Sequence, residues 1–281
     1  MLLAASRGHA WSSEFSFVLH LIRAPMKPNA LPLTGIVRAL RRVADSPVTL
    51  AVVAMVLAVQ FAIVLSGGLS DGRILRVFLA FGLSREGFLA GEVWRIFTYG
   101  FLHGNGLHAG VNALFLLALG CRVEHIAGRG NLLKVLIAGI LGGGLGQLLL
   151  APGGDESALL VGMSGAGLAL LIFITTLSPE SRMMPIPVSG RSLGLGILVA
   201  ELVFVLIDPG FGVPVFSRLG QILVERGMGA WFQIGHGCHM GGWFAGCLMG
   251  RWVLRPRITQ ESLRRERARR EALNVRRGSE K

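Results

Sequence analysis

The chain has 281 residues, of which 52% are apolar and only 16% charged, and its mean hydropathy is +0.60. A soluble domain carries roughly a quarter of its residues as charges, so a soluble globular protein is excluded, as are collagen, coiled coil and disordered polymer. Forty glycines on so apolar a background fit transmembrane helices packed backbone to backbone, and the composition describes an all-α, polytopic membrane protein.

In chain order, the first 25 residues do not form a signal peptide, because Arg7, His9 and Glu14 interrupt any apolar core. Met26 is an alternative start. Six apolar spans follow, at about 48–65, 107–126, 132–150, 159–177, 193–207 and 230–254. Ser46-Pro47 supplies an N-cap and a first-turn proline for the first of them. The segment between the first two spans, residues 66–106, stays rich in Leu, Phe, Ile and Trp but is too broken by Gly, Arg and Glu to cross a bilayer. It reads as a large first loop lying in the interface or against the bundle. Residues 255–281 form a charged, helical tail with mixed Arg and Glu, a solvated anchor beside anionic lipid.

Basic residues set the orientation. The segments ahead of span 1, between spans 2 and 3, between spans 4 and 5, and after span 6, counted with Arg122, Lys134 and Arg251 at the adjoining span ends, hold 22 of the 28 Lys and Arg, and the opposite side holds six. Cytoplasmic loops carry that excess, so both termini are expected in the cytoplasm. The net charge of +12 is therefore a topology signal, and no nucleic-acid partner is expected. Cys121, Cys238 and Cys247 sit in apolar or Gly-rich surroundings without C-x-x-C spacing. They read as small packing residues, with no metal, cofactor or disulfide framework expected.

Polar side chains inside spans are costly and so are functional candidates. His108 and Asn112 lie one turn apart on one face of span 2, where two neutral donors can converge; the same spacing suits an interhelical hydrogen-bonding pair. Span 4 carries Gly162-Met163-Ser164-Gly165 near its start. A Ser there has an accessible hydroxyl and a free backbone N–H at the positive end of the helix dipole, as a nucleophile with an oxyanion donor requires. Small residues in membrane helices also serve simply as packing devices. In span 6, His239 shares a face with the ladder Gly242, Gly246 and Gly250, and His236 one turn earlier reads as structural or solvent-facing. Spans 2, 4 and 6 all enter from the outer side, so His108, Asn112, Ser164 and His239 fall at similar depth.

Together these residues resemble the rhomboid family of intramembrane serine proteases. The resemblance covers roughly 48–254 and rests on Trp94-Arg95, on His103 and His108-x-x-x-Asn112, on Gly162-x-Ser164-Gly165, and on His239-x-x-Gly242-x-x-x-Gly246, with Glu124 late in span 2. It implies a six-transmembrane-helix bundle with a large first outer loop. Its parts would be a cytoplasmic segment 1–46, a protease domain 47–255 and a basic cytoplasmic tail 256–281.

Ser164 would be the nucleophile and His239 its general base, with His108, Asn112 and the Ser164 N–H as oxyanion donors. Trp94, Arg95, His103 and Glu124 would tie the outer loop to the bundle, and Gly162, Gly165, Gly242 and Gly246 would frame the site. No third carboxylate is expected beside the imidazole, Asp155 and Glu156 lying before span 4. Substrates would be transmembrane proteins cleaved near the outer interface, in a bacterial inner membrane. Residues 209–214 of the last connection would form a cap over the dyad.

One position departs from the family: Leu168 stands where an aromatic usually packs on the catalytic imidazole. A rhomboid-like chaperone or trafficking factor without proteolysis is an alternative, although this chain keeps both dyad residues. A transporter would need repeats or midplane charges, for which Glu201 in span 5 is the candidate. The spacing assigns Glu201 no role.

Overall fold

The computed structural model describes residues 33–150, 159–183, 187–255, 261 and 263–269. The expected signal-free N-terminus, the turn holding Asp155 and Glu156, and most of the basic tail lie outside those residues. Within the tail, 263–269 is helical, and Arg265 pairs with Glu261 at 2.5 Å.

The helices in order are α1 (Leu33–Ala44), α2 (Pro47–Leu65), α3 (Gly72–Phe81), α4 (Arg85–Leu89), α5 (Arg95–Thr98) and α6 (Gly106–Ala127). They continue with α7 (Arg129–Leu150), α8 (Ser164–Leu177), α9 (Gly190–Ile207), α10 (Pro214–Leu223) and α11 (His236–Val253). No strand forms among the described residues; two isolated bridges occur, Leu83–Leu160 and Arg182–Ser189. Helices α2, α6, α7 and α9 are long and apolar enough to cross a membrane. They leave large apolar side chains such as Phe61, Leu65, Leu107 and Leu114 exposed, as helices facing lipid do. The molecule is an integral, multi-pass membrane protein.

Helices α7, α8 and α11 pack against one another at the centre, with α6 and α2 on one flank and α9 on the other. Glycine makes this closeness possible. A Cβ on Gly242 or Gly246 of α11 would collide with the backbone oxygens of Gly165 and Ala169 on α8, and one on Gly241 with Gly142 O on α7. The ladder read from the sequence is thus the α8–α11 seam. Its consequence is that two helix axes approach within backbone contact beside the site.

Two spans start later than the sequence suggests. Residues 159–163 are not helical, because Leu160 exchanges two backbone hydrogen bonds with Leu83 of the first loop (3.1 and 2.9 Å) and Gly162 turns with φ of +112°. Helix α8 therefore begins at Ser164 and runs for 14 residues, about 21 Å, short of a ~30 Å hydrocarbon core. Helix α11 begins at His236, because residues 229–233 take a 3₁₀ turn. Its two histidines, five glycines and Arg251 also make it less hydrophobic than an ordinary span.

Trp94, Arg95 and Thr98 hold the first loop together by satisfying carbonyls at the end of α3. Trp94 Nε1 donates to Ala80 O (3.0 Å), Thr98 Oγ1 to Phe81 O (2.7 Å) and Arg95 Nη1 to Gly82 O (3.2 Å). Arg95 also pairs with Glu92. These are groups that a helix C-terminus otherwise leaves to solvent.

Glu124 does something different from the expected tie to the outer loop. It lies sixteen residues beyond His108 on α6, about 24 Å along the axis. Its carboxylate accepts from Thr49 N (2.9 Å), Thr49 Oγ1 (2.8 Å) and Val48 N (3.3 Å), so it caps the start of α2 from across the bundle. The expected cap, Ser46, turns away and donates to Arg42 O at 2.6 Å. The reason is electrostatic: a carboxylate at a helix N-terminus meets both free N–H groups and the positive dipole end, and outcompetes a hydroxyl.

Candidate active site

The site starts from the way α8 begins. Gly162 takes a left-handed conformation, and Met163 and Ser164 follow as the cap and first residue of the helix. Ser164 N–H therefore has no intrahelical acceptor and sits in the positive end of the dipole. Gly165 beside it cannot carry a Cβ without meeting Cys238 Sγ at 2.8 Å. This keeps α11 against the Ser164 turn.

Across the seam, His239 projects from the first turn of α11. Its Nε2 lies 3.0 Å from Ser164 Oγ, with both side chains half-buried. The sequence places these two residues 75 positions apart, and the glycine seam brings them into hydrogen-bonding contact.

The neighbours on α6 come close as well. Asn105 caps that helix by accepting from His108 N–H at 2.8 Å. The His108 ring covers Gly162: a Cβ there would lie 2.7 Å from its Cε1 and Nε2. Asn112 is buried and donates one amide hydrogen to His108 O at 3.0 Å, which fixes the amide and leaves its second hydrogen for another acceptor.

His103, wholly buried, meets His108 edge to face with ring centroids 4.9 Å apart. Its Nε2 accepts a long bond from Met163 N–H, 3.5 Å. Burial, and then the neighbouring His108, hold His103 down at about 4, well below the usual imidazole range. It is neutral at ordinary pH and fixes the loop to the approach of Ser164.

A carboxylate that sequence reasoning left without a role completes the cluster. Glu201, on α9, bridges two imidazoles: Oε1 lies 2.8 Å from His239 Nδ1 and Oε2 lies 2.5 Å from His236 Nδ1. The expectation of no carboxylate beside the imidazole is corrected by this contact. His236, expected as structural or solvent-facing, is buried, and its Nε2 faces Trp231 O at 2.9 Å.

Aromatic packing at the imidazoles comes from α9. Leu168 is buried four residues after Ser164, while Phe204 of α9 stacks on His236 (4.7 Å, 6°), and His236 stands edge-on to His239 at 6.3 Å. One signal in the sequence pointed here. An acidic residue inside an apolar span needs a named partner, and the histidines of the last span were the available ones.

Glu201, His236 and His239 are donors of metal-ligating type within 4.8 Å of one another, and in this geometry hydrogen bonds engage all three. In the connection expected to form a cap, Phe211 and Val213 are exposed. Trp231, later in the same connection, meets His236 through its carbonyl.

The family model for the rhomboid domain matches residues 90–256, more than half of the chain. The chain belongs to the rhomboid family. It is also 34% identical over 83 residues to rhomboid-related protein 3 of Homo sapiens, an alignment that takes in 30% of this chain and 20% of that protein. The chain thus spans about a fifth of the relative's length in common sequence. The matched rhomboid domain contains every residue of the cluster, from His103 to His239. Helices α1, α2, α3 and α4 precede the matched residues in the chain, and α2 is fastened to the rhomboid core by Glu124.

Proposed function

We propose that this rhomboid protein is a serine endopeptidase that cleaves transmembrane substrates within or beside the bilayer. The observation that carries the reading is the 3.0 Å contact between Ser164 Oγ and His239 Nε2 at the free N-terminus of α8. A hydroxyl in contact with an unprotonated imidazole nitrogen is the minimal activated nucleophile. Ser164 Oγ would attack the scissile carbonyl as its proton passes to His239 Nε2, and the imidazolium would return that proton to the leaving amine.

Negative charge then develops on the carbonyl oxygen. The Ser164 N–H, the second hydrogen of Asn112 and the His108 ring are the donors suited to it. Each such donor is worth on the order of 3 kcal/mol. His103 and Gly162 position rather than react: one supports the His108 ring, and the other leaves room for it.

A transmembrane helix satisfies its own backbone hydrogen bonds, so substrates with a helix-weak stretch level with Ser164 would be favoured. The excess of Lys and Arg on one side would place both termini in the cytoplasm and the site toward the outer face of a bacterial inner membrane. No cofactor enters this chemistry.

The test uses the purified full chain in mild detergent and a fluorescent fluorophosphonate, which reacts with activated serines. Labelling should be seen in the wild type and lost in both Ser164→Ala and His239→Ala. Equal labelling of all three proteins, or none of folded wild type, would sink the reading.

A further inference from the structure

We propose that Glu201 is a positioning residue that converts the Ser164–His239 pair into a four-membered chain, Ser164–His239–Glu201–His236, in which His236 carries the balancing proton. The inference rests on the protease reading and goes beyond it, since that reading needs only two side chains.

Donor accounting leads to the assignment. Trp231 O can only accept, so His236 Nε2, 2.9 Å away, bears a hydrogen. A carboxylate can only accept too, and His236 Nδ1 lies 2.5 Å from Glu201 Oε2, so a second proton lies between those two atoms. His236 and Glu201 together therefore hold one proton more than a neutral imidazole with a bare carboxylate. As an ion pair they are neutral overall, which removes the large penalty of an unpaired carboxylate in an apolar seam.

The remaining oxygen, Oε1, faces His239 Nδ1 at 2.8 Å and requires an N–H there. A neutral His239 protonated at Nδ1 has a bare Nε2, and that atom faces Ser164 Oγ. Glu201 thus selects the one tautomer that can take the serine proton.

The chain also stabilises what forms next. As the bond from Ser164 Oγ to the carbonyl carbon forms, the Oγ proton moves to Nε2 and His239 becomes an imidazolium beside the Glu201 carboxylate. When the C–N bond breaks, that proton leaves on the amine. A water then repeats the sequence in reverse, its proton passing through Nε2 back to Oγ as the acyl bond is cleaved. Glu201 and His236 exchange no proton with the substrate at any step. Phe204, stacked on His236, keeps that imidazole in plane with its two acceptors.

Two substitutions separate tautomer from charge. Glu201→Ala removes both. In Glu201→Gln the amide oxygen can accept from His239 Nδ1–H while the amide nitrogen donates to a neutral His236 Nδ1, so the tautomer is kept and only the charge is lost. Fluorophosphonate labelling rates of wild type, E201Q and E201A should fall in that order, with E201A slower by ~10²- to 10⁴-fold.

Histidine ¹⁵N spectra give a second readout that needs no activity. His239 should show a protonated Nδ1 and bare Nε2 in wild type and E201Q, and a redistributed proton in E201A. Labelling of E201Q at the wild-type rate, or a His239 spectrum unchanged in E201A, would overturn the proposal. If E201A does not fold, E201Q still decides it. Absence of labelling in wild type would instead count against the protease reading, and the ¹⁵N comparison would decide the role of Glu201 on its own.

Discussion

Replacing Gly242 by Ala tests whether the glycine seam sets the catalytic distance. A Cβ built at Gly242 lies 2.9 Å from Gly165 C and 3.0 Å from Gly165 Cα, and closer still to Gly165 O. Those backbone atoms have no rotamer through which to yield, so α8 and α11 must separate by about 1 Å to restore ordinary contact, at about 1–3 kcal/mol. Gly165 follows Ser164 directly and Gly242 is one turn from His239, so little of that displacement is absorbed in between. The 3.0 Å contact between Ser164 and His239 would stretch to about 4 Å, beyond hydrogen-bonding reach.

A misplacement of that size is worth on the order of 10²-fold in rate. Gly250→Ala is the matched control. It meets the Thr176 side chain at 2.7 Å on the same seam, but eleven residues from His239, about 16 Å along the helix. The assay pairs fluorophosphonate labelling rate with thermal melting in detergent. G242A should lose rate and stability, G250A chiefly stability, and Gly196→Ala, which meets nothing within 4 Å, neither. Equal rate loss in G242A and G250A, or a wild-type rate in G242A, would refute the reasoning.

Three further outcomes are expected. Glu124→Ala strands the N–H groups of Val48 and Thr49 at the start of α2, and should lower stability by about 1–3 kcal/mol in thermal melts while the labelling rate of the folded fraction stays near wild type. Gly162→Ala forces a left-handed backbone and drives a methyl to 2.7 Å from the His108 ring, so labelling should fall by ~10-fold or more, and a rate equal to wild type would show that His108 is not an oxyanion donor.

The third concerns pH. His103 stays neutral in the folded protein down to about 4, whereas the unfolded chain takes up its proton near 6.5, so the unfolded state binds more protons between those values. Stability should therefore fall as pH drops through that window, by about 3 kcal/mol in full, and His103→Phe should flatten the melting profile there.

Some of this protein was decided by the sequence alone. Apolar content and the spacing of long apolar runs dictate a polytopic helical bundle, because only helices with internally satisfied backbones survive in lipid. The glycine ladder from Gly242 to Gly250 and the Gly-framed Ser164 are local patterns, and both appear in the fold as the pattern implies. What lay beyond reach were contacts between residues far apart in the chain.

Ser46 looks like a cap by position, yet Glu124, 76 residues from Val48, takes the work because the tertiary fold delivers a carboxylate to that dipole. Span 4 reads as apolar from 159, yet the helix waits until Ser164, because Leu160 is claimed by Leu83 of the first loop. Glu201 looks like an isolated charge in a span until α9 docks on α11 and sets it between His236 and His239. Hydrophobicity and helix geometry are properties of a segment and its neighbours in sequence. Hydrogen-bond partnership is a property of atoms within about 3 Å, and only the packed bundle determines which atoms those are.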